Sequence, residues 1–202
     1  MPHQLEISYI VSLYNWPKLL PVCLWSLKTQ SHEDFEVIVT DNTADNKTAE
    51  MHRSIVANLK DARFKYLRSA GKTKVNDCYW SGEYGMKHAQ GKWLCFPCED
   101  CYYPPKWAER MLACADGLEL ILCENNITDF GPNGVERYIP LRFGTVECPG
   151  IKTSFLVQAG KFTGWVGKPQ VPASCGADRT TLWSLLKKLR WGVARDVFYF
   201  HN

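Results

Sequence analysis

The chain has 202 residues, of which 46% are hydrophobic and 22% charged, and a net charge of +3. This is ordinary globular composition, long enough for one domain with a full core. The mild positive balance permits an anionic ligand and excludes a surface built to coat nucleic acid.

Residues 5–13, LEISYIVSL, are β-branched and apolar over a strand-sized run, and YNWP ends them. PKLLPVCLWSLKTQ has apolar residues at helical spacing (Leu19, Leu20, Cys23, Leu24, Leu27), with Asn15 or Trp16 before Pro17 suited to a helix start. FEVIVTD, 35–41, reads as a second buried strand, DNTADN as a polar turn, and a helix follows to about Leu59. ARFKYLR, 62–68, alternates like a short strand. Residues 76–90 read as a helix that Gly82 and Gly85 weaken. KWLCFP, 92–97, is a third apolar strand, and PKWAERMLACAD, 105–116, a helix with Pro at its start. Strands are expected in 118–126 and within 151–158, a loop rich in Gly and Pro over 160–178, and a helix over 179–192 that Gly192 ends. VARDVFYFHN closes the chain as a strand.

Strands without polar alternation, interleaved with helices, predict an α/β fold with a mostly parallel central sheet flanked by helices. Polar residues follow three of the strands: Tyr14 and Asn15, Asp41 to Asp45, Glu99 and Asp100. In open α/β sheets ligands bind beyond the carboxyl ends of the strands, so three such clusters predict one convergent site. Eight Trp, nine Tyr and nine Phe supply core and also rings to line a pocket for flat or cyclic ligands.

GKWLCFPCEDCYYPP, 91–105, poses a choice between a thiolate metal site on Cys95, Cys98 and Cys101 and an oxygen site on Glu99 and Asp100. An iron–sulfur cluster wants a fourth Cys where Pro105 stands, and a structural zinc site wants paired elements that Cys78, Cys114 and Cys123 do not provide. Core-facing thiols are the simpler reading of the cysteines. Carboxylates at a strand end suit Mn²⁺ or Mg²⁺, which keep waters and substrate phosphates among their ligands. Solvated turn residues are the plain alternative for that pair. Lys72 and Lys74, in SAGKTKVND, have the charge to meet a diphosphate, although AGKT is no phosphate loop because Tyr66 stands where that motif needs Gly.

Three segments in order resemble the family-two glycosyltransferases of the GT-A fold, over about Ile7 to Asn202. They are ISYIVSLYNWPKLLPVCLWSLKTQSHEDFEVIVTDNTAD, GMKHAQGKWLCFPCEDCYYPPKW and CGADRTTLWSLLKKLRWG. The resemblance implies transfer of a sugar from a nucleoside-diphosphate donor, a UDP-sugar favoured, to an acceptor nucleophile with inversion. It implies that Ser12 and Tyr14 hold the base and that Asp41 accepts a hydrogen bond from uracil. Asp100 would bind Mn²⁺ or Mg²⁺, with Glu99 near ribose or water and His201 as a further metal ligand. Asp178 would be the catalytic base, with a plain helix cap as the alternative. Lys72 would reach the diphosphate, and Trp165 and Trp107 would stack on sugar or acceptor rings. The chain departs from the family pattern at Cys98 and Ala177, where acids are usual, and at Glu83, where Asn is common.

One domain over 1–202 is expected, with a donor half (about 1–104) and an acceptor half (about 105–202). The loop 160–177 would close over the substrates. The acceptor stays open among saccharide, small molecule and modified DNA base. Two rivals stand beside this reading: a non-catalytic nucleotide-sugar-binding module of the same fold, and a thiolate metalloprotein. The N-terminus carries no secretory pattern and no apolar run reaches the roughly 18 residues of a membrane span, so a soluble, cytoplasmic protein is expected.

Overall fold

The structure, a computed structural model, describes residues 5–13, 18–73, 78–131, 134–141, 154–167 and 177–201. It is built on one mixed sheet. The strands are β1 (Leu5–Leu13), β2 (Phe35–Asp41), β3 (Phe64–Arg68), β4 (Gly91–Cys95), β5 (Cys101–Tyr102), β6 (Leu120–Gly131), β7 (Gly134–Leu141), β8 (Phe155–Gln158) and β9 (Trp191–His201). Their order is β3-β2-β1-β4-β8-β6-β9-β5, with β7 paired to β6 off this path. The first four strands in that order are mutually parallel. β8 runs antiparallel to β4 and β6, while β6 and β9 are parallel.

The helices are α1 (Leu20–Lys28), α2 (Asn46–Asn58), α3 (Cys78–Met86), α4 (Trp107–Leu112) and α5 (Ala177–Lys188). Among the described residues none is long and apolar enough to cross a membrane. β2 is buried at every position, Glu36 and Asp41 included, as expected of a strand covered on both faces. Two apolar clusters form, one containing Tyr9, Phe35, Trp93 and Trp107, the other Ile10, Leu94, Leu122 and Leu182.

Several boundaries differ from the sequence expectation. α1 begins at Leu20 rather than beside Pro17, because Pro21 occupies its first turn, where a missing N–H costs nothing. Gly192 does not end α5. It lies in β9 opposite Ile121, and a Cβ there would sit 2.7 Å from Leu118 Cδ1, so the glycine serves close packing. β5 and β7 were not foreseen. β5 is two residues long, and β7, which among the described residues pairs with β6 alone, carries Pro140, which strand patterning discounts away from sheet edges.

The glycines that weakened the third helix lie where α3 crosses the sheet. A Cβ at Gly85 would stand 2.5 Å from Thr40 Cγ2 and 2.8 Å from Ile10 Cγ2. Gly91 is tighter still, because a Cβ would stand 2.4 Å from the backbone nitrogen of Ser8 and 2.6 Å from the carbonyl carbon of Ile7. Those atoms belong to the neighbouring strand and cannot swing aside. Gly91→Ala is therefore expected to cost about 3 kcal/mol, the upper range for overpacking, while Gly160→Ala, which meets nothing within 4 Å, should stay within about 0.5 kcal/mol. Urea unfolding of the two variants checks this, and equal midpoints would contradict it.

Candidate active site

The carboxyl ends of β1, β2 and β4 meet in one place. Leu13 pairs with Asp41 at the last rung of the β1–β2 ladder, and Asn42 N–H continues it to Leu13 O at 3.2 Å. Beyond the end of β4, Cys98 forms an isolated parallel bridge with Ser12. Ser12 and the acidic turn are thus held side by side. α3 lies over this junction: Ser81 Oγ donates to Thr40 O at 3.2 Å, and Gly82 faces Ser12 so closely that a Cβ would be 3.2 Å from Ser12 Oγ. Two of the three expected polar clusters, at Asp41 and at Glu99 and Asp100, thus follow neighbouring strand ends; Tyr14, Asn15 and Lys74 lie outside the described residues.

Asp41 is wholly buried. Its Oδ1 accepts from Thr43 N–H at 2.8 Å and from Arg68 at 3.4 Å. Its Oδ2 meets Tyr66 O–H at 2.6 Å and His52 Nδ1 at 3.0 Å. Burial pushes the carboxyl up, but the hydrogen bonds from His52, Tyr66 and Thr43 outweigh it and hold it at about 2. The carboxylate therefore braces β2, α2 and β3 from beneath. His52, Tyr66 and Arg68 were not among the sequence-derived site residues. Nothing in linear spacing links them to Asp41, although His52 lies on a helical face with the buried Ala49 and Val56. Ser69 N–H and Ala70 N–H both reach Asp41 O, bringing the 69–73 loop to the same strand end. In that loop Lys72, exposed, leans on Tyr84, its Nζ 3.3 Å from the phenol oxygen.

The acidic segment is a tight turn. Cys101 N–H donates to Cys98 O at 3.2 Å, which leaves Glu99 and Asp100 at the two corners. The Cys23 thiol donates to the same carbonyl at 3.4 Å. Cys98 is exposed, Glu99 and Asp100 are half-buried and Cys101 is buried. The ligand atoms of Cys98, Asp100 and Cys101 lie within 4.8 Å of one another. Cys95 is not part of this trio: its thiol lies in the core 3.6 Å from Ser154 Oγ, and burial pushes it up to about 12. Among the described residues, the potential donor atoms that lie together here are thus two sulfurs and a carboxylate oxygen of Asp100. That donor set fits a divalent cation. In the β5–β9 ladder Cys101 pairs with His201, so the backbone brings residue 201 beside the turn.

Part of the 160–178 loop is described. Glu83, whose role the sequence left open, accepts the Trp165 N–H at 2.8 Å. Gly164 stands next to it at φ +122°, and a Cβ there would strike Glu83 Oε1 at 2.6 Å. Trp165 packs against Phe96, Phe162 and Tyr79, with ring centroids 5.1–5.3 Å apart. Glu83 therefore docks the loop on α3. Trp107 is no substrate platform. It is 1% exposed, and its indole N–H points at Cys123 Sγ, 3.4 Å away. Asp178 is the second residue of α5.

The glycosyl transferase family 2 profile matches residues 8–156. EpsH of Bacillus subtilis (strain 168), a protein named as a glycosyltransferase, is 25% identical over 131 residues, 63% of this chain and 36% of EpsH. Among solved structures, S. aureus TarS 1-349 superposes with a TM-score of 0.74 at 16% identity, covering 98% of this chain and 60% of that one. The same fragment in complex with UDP-GlcNAc gives a TM-score of 0.76, again at 16% identity, over 96% of this chain and 58% of that one. The chain thus spans about a third of EpsH and three fifths of the TarS fragment. The structural likeness establishes the GT-A-like fold, and the profile covers most of the sequence from β1 into β8: the chain belongs to glycosyl transferase family 2.

Proposed function

We propose that this chain is a metal-dependent, inverting glycosyltransferase that moves a sugar from a nucleoside-diphosphate donor, a UDP-sugar favoured, to an acceptor hydroxyl. The observation that carries the reading is the Ser12–Cys98 bridge, which holds the base-side end of β1 against the turn bearing Asp100. Residues 1–104 would form the donor half and 105–202 the acceptor half, in a cytoplasmic protein. The TarS fragment was crystallised with UDP-GlcNAc and with UDP, which favours uracil as the base.

Ser12 and Tyr14 are assigned to the base, as the family resemblance implies. Asp41 enters this proposal in altered form. Because its four acceptor positions are used within the chain, it fixes the floor of the base pocket through Thr43, Tyr66 and Arg68. Asp100 holds the cation, with His201 beside it across the β5–β9 ladder and Glu99 toward the ribose. When bound, the cation supplies positive charge that neutralises a departing diphosphate. Lys72 adds a second positive charge from the 69–73 loop. Asp178 takes the proton of the attacking acceptor hydroxyl. The loop docked by Glu83 excludes water that would otherwise hydrolyse the donor. The acceptor class, whether saccharide, small molecule or modified DNA base, is for a substrate panel to decide.

Thermal shift with UDP, GDP and ADP, each with and without Mn²⁺, tests the reading. Ligand at about 100 times its Kd stabilises by roughly 2.7 kcal/mol, a rise of about 5–11 °C for a chain of this size. UDP with Mn²⁺ is expected to give the largest rise. No rise with any nucleotide would overturn the proposal.

A further inference from the structure

We infer that the cation site of this chain is thiophilic: Cys98 and Cys101, together with Asp100, bind a zinc-like ion through two sulfurs and one carboxylate oxygen. The inference rests on the proposed metal role of residue 100 and goes further by naming the class of ion. Cys98 and Cys101 are the two ends of one hydrogen-bonded turn, and Asp100 lies within it. Their donor atoms lie within 4.8 Å of one another. Zinc–sulfur bonds of about 2.3 Å and zinc–oxygen bonds of about 2.0–2.2 Å bridge such a triangle with small side-chain adjustments. The turn is anchored from two sides, by the Cys23 thiol on Cys98 O and by the Ser12 bridge. The thiols are thus presented by a fixed backbone.

The chemistry separates the candidate ions. Mg²⁺ demands oxygen ligands in near-octahedral array and gains little from sulfur. Zn²⁺, Co²⁺ and Cd²⁺ accept mixed sulfur and oxygen sets. Three protein ligands leave a fourth position open, the arrangement of catalytic rather than structural zinc. Each thiol that ligates releases its proton to solvent, and no electron changes hands. The register that sets His201 opposite Cys101 puts an imidazole-bearing residue at the edge of the same site.

The probe is Co²⁺ added to the full chain in the absence of nucleotide. A sulfur-to-cobalt charge-transfer band in the near ultraviolet is expected, saturating at one equivalent. One equivalent of Zn²⁺ should abolish it, and a large excess of Mg²⁺ should not. Cys98 is exposed, so Cys98→Asp should fold. It should lose part of the band and weaken Zn²⁺ binding at least about tenfold, the scale on which even outer-shell partners act. Cobalt binding without a charge-transfer band, or Zn²⁺ affinity unchanged in both Cys98→Asp and Cys98→Ser, would overturn the inference. UDP stabilisation with Mn²⁺ in a protein lacking the band overturns the sulfur site and leaves the donor reading standing. The band in a protein that no nucleoside diphosphate stabilises supports the sulfur site and removes the donor reading.

Discussion

Asp178→Asn is expected to lower sugar transfer by about 10²–10⁴-fold, the range that a positioned general base contributes, while UDP binding stays within about threefold of wild type. Asp178 opens α5 as its second residue. The unpaired N–H groups of a first helical turn and the helix dipole favour a carboxylate there in its ionised form. An ionised carboxylate is the form that can accept a proton from an attacking hydroxyl. Asn keeps the size and the hydrogen-bonding oxygen and loses the basicity, so the chemical step suffers and the donor pocket does not. The competing account, a first-turn carboxylate that only steadies the helix, makes the opposite forecast. Asn loses only the small dipole contribution there, well under about 1 kcal/mol, so transfer would persist. UDP release with a panel of acceptors, alongside UDP thermal shifts, separates the two. Full turnover in the variant would remove Asp178 from the chemistry.

The strand–helix alternation of the first half was legible because each strand is a short run rich in β-branched and other apolar residues. β2 is the plainest instance, buried along its whole length. The proximity of the Asp41 turn and the Glu99–Asp100 turn was legible from the polar residues that follow their strands, because strand ends in a parallel sheet lie on one edge; Ser12 came from the family resemblance. What escaped depended on contacts between segments distant in sequence. The Asp41 network draws on α2 and β3, 11 to 27 residues away. The tie between Glu83 and Trp165 spans 82 residues. Gly82 and Gly85 reduced the expectation of a helix by their propensity, yet the crossing of α3 over β1 and β2 requires their lack of a Cβ. The reading of the cysteines as core-facing thiols holds for Cys95 and Cys101, which are buried, and not for Cys98, which is exposed. Strand geometry sends Cys95 into the core, and only the turn after β4 brings Cys98 and Cys101 together with a carboxylate.

Asp41→Ala is expected to be the most destabilising change around the site, by about 3–5 kcal/mol, the cost of leaving buried charged and polar partners without their acceptor. In a chain of this length that lowers Tm by roughly 6–20 °C. Thr43 N–H and His52, both buried, and Tyr66 O–H and Arg68, both half-buried, would all lose a partner. Tyr66→Phe, which removes the hydroxyl shared between Asp41 Oδ2 and Ala49 O and leaves Asp41 its other three partners, should cost only about 1–1.5 kcal/mol. The pH dependence follows from the same network. The folded carboxyl sits at about 2, against about 3.9 in an unfolded chain. The difference contributes stability that is complete above the unfolded value and is lost as pH falls through the folded one. It amounts to about 2–3 kcal/mol. Urea midpoints should therefore place wild type well above Asp41→Asn at pH 6 and bring the two together toward pH 2. A gap that stays constant with pH, or an Asp41→Ala protein as stable as wild type, would mean that the carboxylate is not held by these four partners. It would then be available to read an imide N–H directly, and UDP affinity in Asp41→Asn would fall without a matching loss of stability.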